Sequence, residues 1–110
     1  MATILDCIER IPSVIEEILK GQEKAFGSFM EYMRERWGKV DEVVLIGSGT
    51  SGTAAATSLA FVEKTSGLPA KAVFPNDYMK EGRVYNPHAL HVFTSQTGTS
   101  KVVCQLMEHL

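Results

Sequence analysis

Two short stretches carry the groups with which this chain could do chemistry. Ser95-Gln96-Thr97-Gly98-Thr99-Ser100 packs four hydroxyls, one side-chain amide and a glycine into six residues. Gly47-Ser48-Gly49-Thr50-Ser51-Gly52 sets three hydroxyls among three glycines. Neither stretch holds an acid, a base or a thiol, so the chemistry on offer is recognition rather than proton transfer. Each follows an apolar run, Leu90-His91-Val92-Phe93 or Val43-Val44-Leu45-Ile46, and each precedes a helical pattern. A strand that ends in such a loop and turns into a helix aims several backbone N–H groups at one point. The positive end of the helix dipole adds to that field. An anion with many oxygens, such as the phosphate of a sugar phosphate, suits both loops.

Other readings of the two loops stand beside this one. Gly47-x-Gly49-x-x-Gly52 also fits a dinucleotide-binding turn between strand and helix. That reading wants an acidic residue at the end of the next strand. Pro75 stands just past Phe74 there, and Asp77 comes two residues later. The same glycines also suit a tight structural turn with no ligand. For the second loop, Ser95 or Thr97 can serve as a helix cap and nothing more. One cap needs one hydroxyl, however, and this loop has four.

The elements that must position these loops follow from periodicity. Ile4, Leu5, Ile8, Ile11, Val14, Ile15, Ile18 and Leu19 fall at helical spacing. Pro12 predicts a break, with one short helix to about residue 10 and a second from 12 to about 20, stopped by Gly21. Residues 22–37 predict a third helix, with Phe26, Phe29, Met30, Met33 and Trp37 on one face and Gly38 just beyond. The stripe over 3–20 reads as core or domain-packing surface, and the Met and aromatic stripe over 22–37 as core. Residues 42–46 form a continuous apolar run, the mark of a central parallel strand. The predicted order continues with a small-residue helix over 51–66 capped by Gly67, and a strand over 70–74. A short turn or helix from Pro75, a polar loop over 80–88, a strand over 90–94 and a helix from about residue 99 to the end complete it. Strands alternating with helices argue for βαβ units.

Bulk properties narrow the class. The 110 residues fit one domain at most, and 45% of them are apolar, enough for a core. A net charge of −2 provides no basic stripe for nucleic acid. No apolar run approaches the ~20 residues that span a bilayer, and Asp6 and Glu9 interrupt the N-terminal stretch, unlike a secretion signal. Cys7 and Cys104 lie far apart without metal-ligand spacing, so reduced thiols in a cytoplasmic protein are expected. Cys104 reads as a core residue. No metal and no cofactor are called for. His91, alternating along its strand, reads as packed; His88, after Pro87, as surface. Asp77 and Glu81 near the end of the second strand read as solvated loop charges.

The paired loops resemble the sugar isomerase (SIS) family of phosphosugar-binding domains. The residues that carry the likeness are Gly49-Thr50-Ser51 after the strand at 43–46 and Ser95-Gln96-Thr97-Gly98-x-Ser100. Within that family the likeness is to the isomerase half of glucosamine-6-phosphate synthase, and relatives that lack a glutaminase domain, such as fructosamine-6-phosphate deglycases, are similar. The resemblance runs from about Ile4 to the C-terminus. It implies an α/β fold: a three-layer, flavodoxin-like parallel sheet, here as its first half only (39–110), with an N-terminal helical lead-in over 1–38. Such a lead-in often lies at a subunit contact, so a homo-oligomer such as a dimer is expected. The resemblance further implies binding of a hexose or aminosugar 6-phosphate by an aldose–ketose isomerase, an isomerizing aminotransferase or a deglycase. Ser95, Gln96, Thr97, Gly98 and Ser100 would hold the phosphate; Gly49, Thr50 and Ser51 would meet phosphate or sugar hydroxyls. Thr97 stands where the family usually has Ser, keeping the hydroxyl. Thr99 stands where the synthase has Glu, losing a carboxylate. No position here corresponds to the family's acid–base residues, so a non-catalytic phosphosugar sensor is the alternative. Met1-Ala2 opens the chain in place of a nucleophilic cysteine, which argues against a glutaminase domain.

Overall fold

The architecture is that of a computed structural model, which describes residues 3–79, 85–96 and 101–110. The chain divides into two units, Met1–Trp37 and Gly38–Leu110. The second is built around strand β1 (Glu42–Ile46), the apolar run of the sequence. β2 (Ala70–Val73) and β3 (Ala89–Phe93) flank it, both parallel to it, in the order β2-β1-β3. Val44 pairs with Lys71 on one side and His91 on the other; Ile46 pairs with Val73 and Phe93. This is an α/β fold with an open parallel sheet.

A central parallel strand needs cover on both faces, and β1 has it. On one face Val44 and Ile46 pack with Tyr78 and Leu106, and Val73, Ala89 and Phe93 extend the cluster. On the other, Val43 and Leu45 pack with Ala55, flanked by Leu59, Val62, Ala70 and Ala72. The helical layers follow from these contacts. α2 (Gly49–Ser66) supplies Ala55, Leu59 and Val62 to the second face. α3 (Pro75–Tyr78) and α4 (Lys101–His109) supply Tyr78 and Leu106 to the first. Val44 and Ile46 are fully buried; each such side chain is worth about 1.5–3 kcal/mol relative to exposure.

Several boundaries differ from expectation by a residue or two. α2 begins at Gly49 rather than Ser51, and Gly67 closes it with φ 71°. β2 ends at Val73 because Phe74 becomes the N-cap of α3, where Pro75 takes the first helical position. β3 starts and stops one residue early, although the Thr94 amide still donates to the Ile46 carbonyl at 2.8 Å. Cys104 is exposed, not core. The buried side of α4 is set by Val103 and Leu106, three residues apart, and leaves Cys104 outside it.

The first unit corrects the sequence reading more deeply. One helix, α1 (Ile4–Arg34), runs through Pro12 and Gly21 where breaks were expected. Pro12 removes a single N–H, the one that would have reached the Ile8 carbonyl. Gly21 costs roughly 1 kcal/mol in a helix interior, but Lys20 and Gln22 beside it are good helix formers. The start is fixed by a capping box: the Asp6 amide donates to Thr3 Oγ1 at 3.1 Å, and the Thr3 amide donates to Asp6 Oδ2 at 3.0 Å. Those bonds hold the Asp6 carboxyl below its ordinary pKa. At the far end the Arg36 guanidinium lies 3.7 Å over the Tyr32 ring and donates to the Tyr32 carbonyl.

Both stripes are exposed in α1, including the one over 22–37 expected in a core. Ile4 is 82% exposed, Ile15 50% and Phe26 54%; Met33 is the one buried residue among those described in the helix. The pattern is a heptad. Ile8, Ile15, Gln22 and Phe29 occupy its a positions; Ile4, Ile11, Ile18, Ala25 and Tyr32 its d positions. Every charged residue of α1, from Asp6 to Arg34, falls at b, c or f.

Candidate functional site

The first loop is shaped by how closely the chain returns on itself. A Cβ on Gly47 would lie 2.7 Å from the Ser51 carbonyl carbon and 2.9 Å from the Gly52 nitrogen. A Cβ on Gly52 would lie 2.7 Å from the Gly47 carbonyl oxygen and as close to the Phe74 ring. β1 therefore passes straight into α2 through a turn that only glycine fits at both ends. Between them Gly49 sits at φ +54°, the left-handed region that glycine enters without strain.

This turn leaves the first amides of α2 pointing outward. No carbonyl of the helix can reach the amides of a first turn. Ser48 occupies the N-cap position, yet its hydroxyl makes no capping hydrogen bond. Its carbonyl takes the Gly52 amide at 3.2 Å. The Ser48 hydroxyl and the first-turn amides thus face the same space, at the positive end of an 18-residue helix.

The second loop opens onto the same space. A cleft of about 230 Å³ is lined by Ser48, Thr50 and Ser51 from the first loop, Thr94, Ser95 and Gln96 from the end of β3, and Val103 from α4. Thr94 is held by its bond to the Ile46 carbonyl, so parallel pairing of β1 and β3 sets the spacing of the two loops. Among the described residues the lining supplies five hydroxyls, one side-chain amide and one apolar patch. Among the described residues it includes no carboxylate, imidazole or ammonium. The arrangement can donate many hydrogen bonds to one anion and can bind polyols by exchange of hydroxyl partners.

Of the residues singled out from sequence, Thr50, Ser51, Ser95 and Gln96 meet in this cleft, and Gly49 opens α2 beside it without lining it. Thr97, Gly98 and Ser100 lie outside the described residues, as does Glu81. Asp77 is exposed in α3, and His88 is exposed. Sequence reasoning missed Thr94 and Val103, and counted Ser48 among the first loop's hydroxyls without naming it a site residue. Ser48 and Thr94 were legible as hydroxyls at the two strand ends; Val103 needed the tertiary position of α4. Among the described residues no group of His, Cys, Asp and Glu could hold a metal ion.

The cleft between the two hydroxyl-lined loops lies at the ends of neighbouring parallel strands, where open α/β sheets bind ligands. Sequence comparison adds to this. The chain is 31% identical over 90 residues to glutamine–fructose-6-phosphate aminotransferase (isomerizing) of Tropheryma whipplei strain Twist, and equally to that of strain TW08/27. The aligned stretch covers 79% of this chain and 15% of each relative, so the chain spans a small part of the length of the proteins it matches. No family model matches the chain. No solved structure matches it. No helix among the described residues is long and apolar enough to cross a membrane.

Proposed function

We propose that the chain binds a hexose or aminosugar 6-phosphate in the cleft between the two loops, as the phosphate-holding part of an isomerase, isomerizing aminotransferase or deglycase of the SIS type. The observation that carries this reading is the convergence of Ser48, Thr50, Ser51, Ser95 and Gln96 on one cleft at a helix N-terminus. The similarity to an isomerizing aminotransferase supports it. The phosphate lies against the hydroxyls and first-turn amides, and the sugar extends toward the open side. Val103 gives an apolar wall. The described lining holds substrate and moves no proton; the acid and base of an isomerisation would come from elsewhere.

A second reading takes its support from that same lining. A sensor that reports phosphosugar level without converting it needs hydroxyls and amides only, and these are what the described cleft contains. Turnover separates the two: an isomerising assembly containing this chain converts the sugar phosphate, a sensor returns it unchanged. The binding claim common to both is tested by paired substitution. Ser51→Ala with Ser95→Ala removes two charge-assisted hydrogen bonds and weakens phosphosugar binding by about 2–4 kcal/mol. Unchanged affinity would overturn the cleft assignment.

The same reading includes self-association through α1. Twelve large apolar side chains of α1 are at least 39% exposed, an area of roughly 1,000 Å², comparable to the ~800 Å² each partner buries in a stable dimer. Charges are confined to the opposite side. A second copy offers the complementary seam, and light scattering of Ile11→Glu with Ile18→Glu against the unsubstituted chain tests it: the variant runs at half the mass.

A further inference from the structure

The face of the sheet opposite α2 holds a polar pair that the proposed binding function does not use. Tyr78 OH lies 3.0 Å from His91 Nε2. Tyr78 is 2% exposed and belongs to the buried cluster with Val44, Ile46 and Leu106. His91 is half-buried, with its ring 5.7 Å from that of Tyr78. Tyr85 closes the other side, its ring 5.1 Å from Tyr78 and its hydroxyl donating to the Tyr78 carbonyl. The pair joins α3 to β3, a strand with one sheet partner among the described residues.

We propose that Tyr78 and His91 form an acid-sensitive clasp between α3 and β3, in which the phenol donates to Nε2 of a neutral imidazole and protonation of His91 releases it. Among the described residues, charged and titratable groups around the imidazole come from each packed element. Glu42 comes from β1 and Lys71 from β2; the two are 3.8 Å apart, and Lys71 shares a sheet face with His91 across Val44. The Lys71 ammonium lies 5.4 Å from the Tyr78 ring. Tyr78 comes from α3 and Tyr85 from the segment after it. α4 gives this cluster the apolar Leu106, while its Lys101, Cys104 and Glu108 are exposed.

The imidazole is held below its ordinary pKa by burial, with Glu42 opposing and Lys71 assisting. The direction of linkage follows. Above the unfolded value of about 6.5 both states are neutral at this site and the clasp contributes in full. As pH falls below that value the unfolded chain takes up a proton that the folded chain resists, and stability is lost until the folded pKa is passed. Acid therefore weakens the contact between α3 and β3.

Two measurements on the full chain test the clasp. Long-range ¹H–¹⁵N spectra of the imidazoles give each histidine's tautomer and pKa, and thermal unfolding at pH 7.5, 6.5 and 5.5 gives the stability slope. The clasp requires the Nδ1–H tautomer at His91, titration below the ordinary imidazole value, and a fall in Tm toward acid. Tyr78→Phe removes only the hydroxyl; it should raise the His91 pKa and flatten the Tm slope, and His91→Gln should flatten it too. If His91→Gln fails to fold, the Tyr78→Phe comparison and the wild-type spectra decide alone. An Nε2–H tautomer, a His91 that titrates at or above the ordinary imidazole value, or an acid slope unchanged in Tyr78→Phe would overturn the proposal.

Discussion

β1 and α1 are made of the same residue types and meet opposite fates. Val44 and Ile46 of β1 are fully buried; Ile15 and Ile18 of α1 are 50% and 58% exposed. The difference is in their neighbours, not in their hydrophobicity. β1 runs between two parallel strands and has helices over both faces, so a five-residue run is enough to define a core. α1 spans 31 residues with a wide apolar face and has no such enclosure among the described residues. Apolar pattern states that a surface wants cover; it does not state where the cover comes from.

Substitutions can sharpen or break this contrast. The largest effect belongs to β1. Ile46→Ala removes a fully buried side chain from the cluster with Val44, Tyr78 and Leu106, and chemical denaturation should show a loss of about 2–5 kcal/mol. Gly47→Ala comes next, because its Cβ would meet backbone atoms at 2.7–2.9 Å and the turn into α2 must shift. It should lower Tm clearly and weaken sugar-phosphate binding together. In α1 the same aliphatic chemistry should give the smallest effect. Ile15→Ala, measured where the chain is monomeric by light scattering, should change stability by less than about 0.5 kcal/mol. A loss there as large as that of Ile46→Ala would break the comparison.

The sheet was legible in the sequence because its signals are local. Val43-Val44-Leu45-Ile46 followed by three glycines in six residues fixes a buried strand and its turn, and the structure places β1 over the residues expected. Thr50, Ser51, Ser95 and Gln96 were legible as ligand candidates because each loop follows directly on a strand. The failures came where local signals compete with context. Pro12 and Gly21 carry strong helix-breaking preferences, yet each disturbs one residue's worth of helix within a 31-residue pattern of good formers. Cys104 looked buried by type, but the buried side of α4 is set by which residues meet Tyr78 and β1. Val103 entered the cleft for the same tertiary reason.

The two loops invite a narrower comparison. The first is rigid by construction: Gly47 and Gly52 close on each other, and Ser48 leaves the helix uncapped. The second hangs from β3, tied to β1 by the Thr94 amide. Removing one hydroxyl from each should therefore cost affinity without much cost in stability, since Ser51 and Ser95 line the cleft rather than the core. Ser48→Ala gives a milder test. Its hydroxyl does not cap α2, so Tm should hold while phosphosugar affinity falls by roughly 1 kcal/mol.

The central claim is that the two loops form one phosphosugar site, and calorimetric titration of the 110-residue chain with fructose 6-phosphate, glucosamine 6-phosphate and unphosphorylated fructose tests it most directly. The account predicts saturable binding of one sugar phosphate per chain, lost when Ser51 and Ser95 are both alanine, and no binding of fructose at the same concentrations. Absence of binding by either sugar phosphate, or binding indifferent to the double substitution, would contradict it.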